Sequence, residues 1–164
     1  MGSLSCCLLL AMALLTPCAA DARKEGGAWL STAQDASTTT GPQCDLQGLW
    51  RNELGSNMTL SAPAADWTFS GSYHTAVAAT TKQILVSPLQ GSQQPPGAKG
   101  QPTFGFTVQW QFTDSTTAFV GQCFVDRRGK EILETTWLLQ EEVPSRRDVW
   151  KATRVGTSVF TRIK

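Results

Sequence analysis

From residue 103 to residue 112 every second side chain is large and apolar: Phe104, Phe106, Val108, Trp110 and Phe112 share one face, while Gly105, Thr107, Gln109 and Gln111 share the other. Alternate side chains of an extended chain point to opposite sides of a sheet, so this period of two reads as an antiparallel strand with one face buried. The period recurs in Phe69, Gly71, Tyr73 and Thr75, in Phe119, Gly121, Cys123 and Val125, and in Leu133, Thr135, Trp137 and Leu139. No stretch after residue 22 shows a comparable helical period. Turn signals separate the runs: Leu54-Gly55-Ser56, Ala62-Pro63, Gln94-Pro95-Pro96-Gly97, Asp114-Ser115, Arg127-Arg128-Gly129 and Val143-Pro144-Ser145. Counting runs between them predicts an all-β domain of about eight strands with short connections, either a sandwich or an up-and-down barrel. Closure would remove exposed sheet edges, and an eight-stranded barrel encloses room for one small ligand.

The inward parity carries a second message. Asn52, Tyr73, Thr75 and Thr117 fall on the same faces as Trp50, Phe69, Phe119 and Trp137. A buried hydroxyl or amide without a partner costs roughly 1 to 3 kcal/mol, so these groups must satisfy one another, hold water or meet a polar ligand.

Residues 1–22 hold a short apolar run, Leu8 to Leu15, followed by Pro17 and the small residues Cys18-Ala19-Ala20. This reads as a secretory signal peptide cleaved near Ala20 or Ala22; a membrane span would need about 20 apolar residues. Removing it leaves Cys44 and Cys123 as an even pair in a chain bound for an oxidising compartment, which predicts one disulfide. Residues 23–43 are rich in Gly, Ser, Thr and Ala and read as a flexible extension; residues 44–164 suit one domain with a core of its own. Asn57-Met58-Thr59 is a glycosylation sequon. The net charge of +1 and the absence of a basic stripe argue against nucleic acid as a partner. No catalytic or metal constellation is legible: His74 is the only histidine and its parity turns it outward, and Glu141-Glu142 and Asp126 with Arg127 and Arg128 read as solvated loop charges.

Several ordered motifs resemble the avidin family: Cys44, Gly48-Leu49-Trp50, Leu54-Gly55-Ser56-Asn57-Met58-Thr59, Gly71-Ser72-Tyr73 and Pro102-Thr103-Phe104-Gly105-Phe106-Thr107-Val108. Ser115-Thr116-Thr117, Gly121-Gln122-Cys123-Phe124, Trp137-Leu138-Leu139 and the run from Trp150 to Gly156 extend the resemblance over essentially residues 44–164. Within the family the chain looks most like the biotin-binding members of bird egg yolk. The resemblance implies an eight-stranded antiparallel up-and-down barrel, secreted and homotetrameric, that binds biotin without transforming it and needs neither cofactor nor metal. It implies that Asn52, Ser56 and Tyr73 donate to the ureido oxygen and that Thr75 accepts from a ureido N–H. Trp110, Phe119 and Trp137 would wall the bicyclic ring, with Leu139 beneath it and Thr117 near the sulfur. Ala79, Thr80, Thr113 and Ser115 would meet the valerate carboxylate, and Trp150 would reach into a neighbouring subunit's pocket.

The departures from the family pattern carry expectations too. Ser158 stands where the family has an asparagine that meets a ureido nitrogen; the shorter side chain predicts faster release of biotin. Ala78 replaces a threonine near the carboxylate loop, and Thr113 keeps the hydroxyl of a serine. Thr136 and Thr157 replace apolar residues at a subunit contact, which predicts a less heat-resistant tetramer. Two other readings compete. Gly48-Leu49-Trp50 also fits the start of a lipocalin, a carrier of larger apolar ligands, and a purely structural extracellular domain would bind no small molecule.

Overall fold

The computed structural model describes residues 43–97 and 99–164. The expected leader, and the expected extension apart from Gln43, lie outside the described residues. Eight strands run in order as β1 (Gly48–Asn52), β2 (Asn57–Leu60), β3 (Thr68–His74), β4 (Ser87–Gln93), β5 (Thr103–Gln109), β6 (Ser115–Val125), β7 (Glu131–Glu141) and β8 (Thr153–Arg162). A short 3₁₀ helix, Arg146–Lys151, with Ser145 as its N-cap, joins the last two. Each strand pairs antiparallel with the next, and β8 closes on β1, giving a barrel rather than a sandwich. Closure satisfies the ladder groups that an open sheet would leave exposed at its edges.

The register explains why one face of each strand is apolar. Along β6–β7 the inward pairs are Cys123↔Leu133, Phe119↔Trp137, Thr117↔Leu139 and Ser115↔Glu141, a progression from apolar to polar that runs from the closed end of the barrel to its mouth. Trp50, Leu46, Leu133, Cys123 and Phe160 are fully or almost fully buried. A disulfide joins Cys44 to Cys123 across 79 residues, with Cα atoms 6.2 Å apart; a loop that long stabilises the fold by roughly 4 to 5 kcal/mol in the chain-entropy picture. Trp50 donates its indole N–H to the Leu46 carbonyl at 2.9 Å, and the Arg162 guanidinium lies 4.3 Å from the ring centre while bonding Glu131 and the carbonyl of Asp45. This cation–π lid seals one end.

The strand read over residues 103–112 ends earlier than its pattern suggests. β5 stops at Gln109, and the backbone N–H of Gln111 goes to the Ser87 hydroxyl at 3.1 Å instead of continuing the ladder. Phe112 still turns inward and is buried. The β3–β4 connection, residues 75–86, contains neither glycine nor proline. Among the described residues no helix is long and apolar enough to cross a membrane, and no three His, Cys, Asp or Glu side chains could together hold a metal ion.

Candidate functional site

The β1–β2 turn is built around Asn52. Gly55 takes a positive φ of 86° that a side chain would resist, and Gly55 N–H bonds the Asn52 carbonyl at 3.0 Å. The Asn52 carboxamide oxygen accepts from Ser56 N–H at 2.8 Å and from Leu54 N–H at 3.1 Å. That oxygen is therefore committed to the turn, and what Asn52 still offers is its NH₂ group. Ser56 accepts from Ala76 N–H at 3.0 Å, which leaves its hydroxyl proton to donate. Thr75 has the opposite polarity: its hydroxyl donates to the Val77 carbonyl at 2.7 Å and accepts from Val77 N–H at 3.3 Å, so what remains to it is one oxygen lone pair.

Tyr73 stands among these groups, 3% exposed. Burial pushes its phenol up to about 12, with the charge of Glu53 adding to the shift and the nearby Ser56 hydroxyl, which can donate to a phenolate, opposing part of it. Tyr73 thus remains a protonated donor at any physiological pH. Three residual donors and one residual acceptor converge on a cavity of about 130 Å³ lined by Asn52, Ser56, Tyr73, Thr75, Thr117 and Ser158 on its polar side. Among the described residues no fully buried side-chain nitrogen or oxygen lacks a partner, so the remaining capacity of this cluster opens onto the cavity.

The other walls are aromatic and apolar: Trp110, Phe119, Trp137, Leu139, Leu54 and Val77. Tyr73 stacks on Phe119 at 5.7 Å and meets Trp110 edge-on at 5.5 Å, geometries that fix ring positions. Trp110 is further held by its indole N–H, which donates to the Thr117 hydroxyl at 2.8 Å. Trp137 lies directly over Gly156, its partner on β8, where a Cβ would run into the indole ring. Such walls hold a flat ligand with little rotamer freedom to lose.

A second chamber of about 90 Å³ continues the first toward the mouth, sharing Thr75, Val77, Trp110 and Leu139 with it. Thr113 and Ser115 meet there through a 2.7 Å bond between their hydroxyls, beside Ala78, Ala79 and Phe112. Glu141 and Arg154 form an ion pair at its rim. Glu141 is thus no loop charge, as the sequence reading had it. It is the last residue of β7, opposite Ser115 and on the inward parity of Trp137 and Leu139.

Of the residues expected to form the site, Asn52, Ser56, Tyr73, Thr75, Trp110, Thr117, Phe119, Trp137, Leu139 and Ser158 line the inner cavity. Ala79, Thr113 and Ser115 line the outer chamber. Thr80 lines neither; its hydroxyl accepts from Lys82 N–H at 3.1 Å. Trp150, on the 3₁₀ helix, lines neither chamber and is 81% exposed. Leu54, Val77, Phe112, Glu141 and Arg154 were missed. Strand parity would have found the two charged ones, because Arg154 pairs with Leu139 in the β7–β8 ladder.

Comparison with known proteins agrees with this fold. The sequence model of the Avidin family matches residues 40–163. Avidin from Gallus gallus is 52% identical over 135 residues, spanning 82% of this chain and 89% of that protein. The X-ray structure of a biotin binding protein from chicken is similar with a TM-score of 0.72 at 78% identity, covering 74% of this chain and 98% of that one. The crystal structure of Xenavidin gives a TM-score of 0.70 at 46% identity, covering 74% and 99%. A closed eight-stranded barrel, a family match over nearly all the described residues and relatives at this level of identity make the chain a member of the avidin family.

Proposed function

We propose that the chain binds biotin non-covalently, one molecule per barrel, with the ureido ring against Asn52, Ser56, Tyr73 and Thr75. Avidin family proteins are binding proteins rather than enzymes, and the proposal assigns no bond-breaking step. The observation that carries it is the polarity left over after internal bonding. The Asn52 NH₂ and the hydroxyls of Ser56 and Tyr73 remain as donors, whereas Thr75 keeps only acceptor capacity. A cyclic urea presents the complement, one carbonyl oxygen that accepts up to three donors beside N–H groups that need an acceptor. Fixed donors around one oxygen gain strength in a water-poor cavity, the same preorganisation that serves an oxyanion hole. The ring system would lie between Trp110, Phe119 and Trp137, with Thr117 near its sulfur, and the carboxylate chain would rise past Leu139 toward Thr113, Ser115, Ala79 and Thr80.

The same reading extends to the assembly. Trp150 is too exposed for a large aromatic to serve its own barrel, and a homotetramer would bring it over a neighbour's mouth. The outer face of β6–β8 supports such an interface, since Val120, Leu138, Val155 and Val159 are exposed along it, interrupted by the facing pair Thr136 and Thr157. The leader reading and the disulfide fit a secreted protein, glycosylated at Asn57, and Ser158 at the cavity wall favours a carrier that releases its cargo over a permanent sequestrant.

Titrating the purified secreted protein with biotin while following tryptophan fluorescence tests the function. Quenching that saturates at one biotin per chain supports it. A response only to larger apolar ligands would favour a lipocalin-like carrier, and no saturable response to either would leave an extracellular structural domain.

A further inference from the structure

The geometry points to the Glu141–Arg154 pair as a charge-reading subsite at the mouth, tuned to a biotin whose chain ends in a neutral amide rather than in a free carboxylate. The inference rests on the biotin reading above. Glu141 stands opposite Ser115, and Arg154 opposite Leu139, so both project inward from the last rungs of the barrel. They line the same chamber as Thr113 and Ser115. A chain end arriving at those hydroxyls therefore meets the ion pair directly.

For a free carboxylate this chamber is poorly balanced. Its one guanidinium is already bonded to Glu141, and a second carboxylate would have to share it against the repulsion of the first. Two exposed acidic side chains add further negative charge nearby: Asp114 and Glu142, whose backbones are joined by a bond from Glu142 N–H to the Asp114 carbonyl at 2.8 Å. An amide brings no charge, leaves the ion pair intact, and supplies a carbonyl for the hydroxyls of Thr113 and Ser115 and an N–H for Glu141. The ligand class is biotin joined to an amine, as on the side chain of a lysine. Both charged side chains keep contact with solvent, at 49% and 39% exposure, so the discrimination is modest, about threefold to fivefold.

The test compares release of biotin with release of its primary amide from the wild type, Glu141→Gln and Arg154→Gln, each chased with excess competitor. The wild type is expected to hold the amide at least as long as the acid. Glu141→Gln should shift the acid-to-amide ratio of release times about threefold to fivefold toward the acid, and Arg154→Gln should shift it the other way. A pair with only a structural role changes both ligands together, so a ratio unmoved in both variants overturns the subsite. So does a wild type that holds the acid longer than the amide. Failure of every protein to bind either ligand would instead overturn the proposed function, and the subsite with it.

Discussion

Trp50 at the closed end and Tyr73 in the cavity are both buried aromatic residues with one polar handle, and the barrel uses those handles in opposite ways. The Trp50 N–H is spent on the Leu46 carbonyl and its ring is covered by Arg162. Tyr73 stacks within the chain, yet its hydroxyl faces a cavity beside groups whose bonding is half complete. One end has been finished by the chain alone; the other has been held open by tying Asn52, Ser56 and Thr75 to the backbone on one side only. The difference teaches where stability and affinity should separate under mutation.

The largest expected effect is at the closed end. Trp50→Ala should lower unfolding free energy by about 3 to 5 kcal/mol, read as a shift of the denaturant midpoint of the ligand-free protein. Tyr73→Phe should barely move that midpoint. It should instead weaken biotin binding by roughly 1 to 3 kcal/mol, or about fivefold to 150-fold, because a donor in a dry cavity is lost. Equal destabilisation of the two variants would erase the contrast.

Alkaline pH sharpens the contrast without mutation. Tyr73 is the only tyrosine in the chain, so the ultraviolet absorbance of tyrosinate reports it alone. Its phenol is raised from 10.0 to about 12 in the fold. A raised acid keeps its proton longer when folded, so its contribution to stability is complete below pH 10 and is lost as pH rises from there through about 12. The titration should show its midpoint near the upper value in the native protein and near the lower one in denaturant. A native midpoint at the ordinary value would mean that Tyr73 is open to bulk water. The smallest effect is expected at Ser158, 4% exposed on the cavity wall. Ser158→Asn should slow biotin release about twofold to tenfold, the equivalent of one neutral hydrogen bond, and unchanged release would remove Ser158 from the contact set.

The period of two makes the inward and outward faces of the longer strands legible in the sequence alone, and with them the mixture of aromatic and polar residues in the barrel. It did not decide between sandwich and barrel, because closure depends on β8 meeting β1, a pairing remote in sequence. It misplaced the end of β5, where the Ser87 hydroxyl takes a backbone donor from the ladder. It also passed over Glu141, since a charge next to a second charge and near a proline looks like a loop even when the strand runs on through it. Least legible were the atoms already spent. Only the turn at Gly55 and the loop after β3 reveal that Asn52 has lost its acceptor and Thr75 its donor.

The most direct measurement is a crystal structure of the protein with biotin. The ureido oxygen should lie within hydrogen-bond distance of the Asn52 NH₂ and of the Ser56 and Tyr73 hydroxyls, with one ureido N–H on Thr75 and the Asn52 carboxamide oxygen still on Ser56 N–H. A ligand bound in the reverse sense, or outside the inner cavity, or an Asn52 side chain turned over to accept from it, would contradict the account.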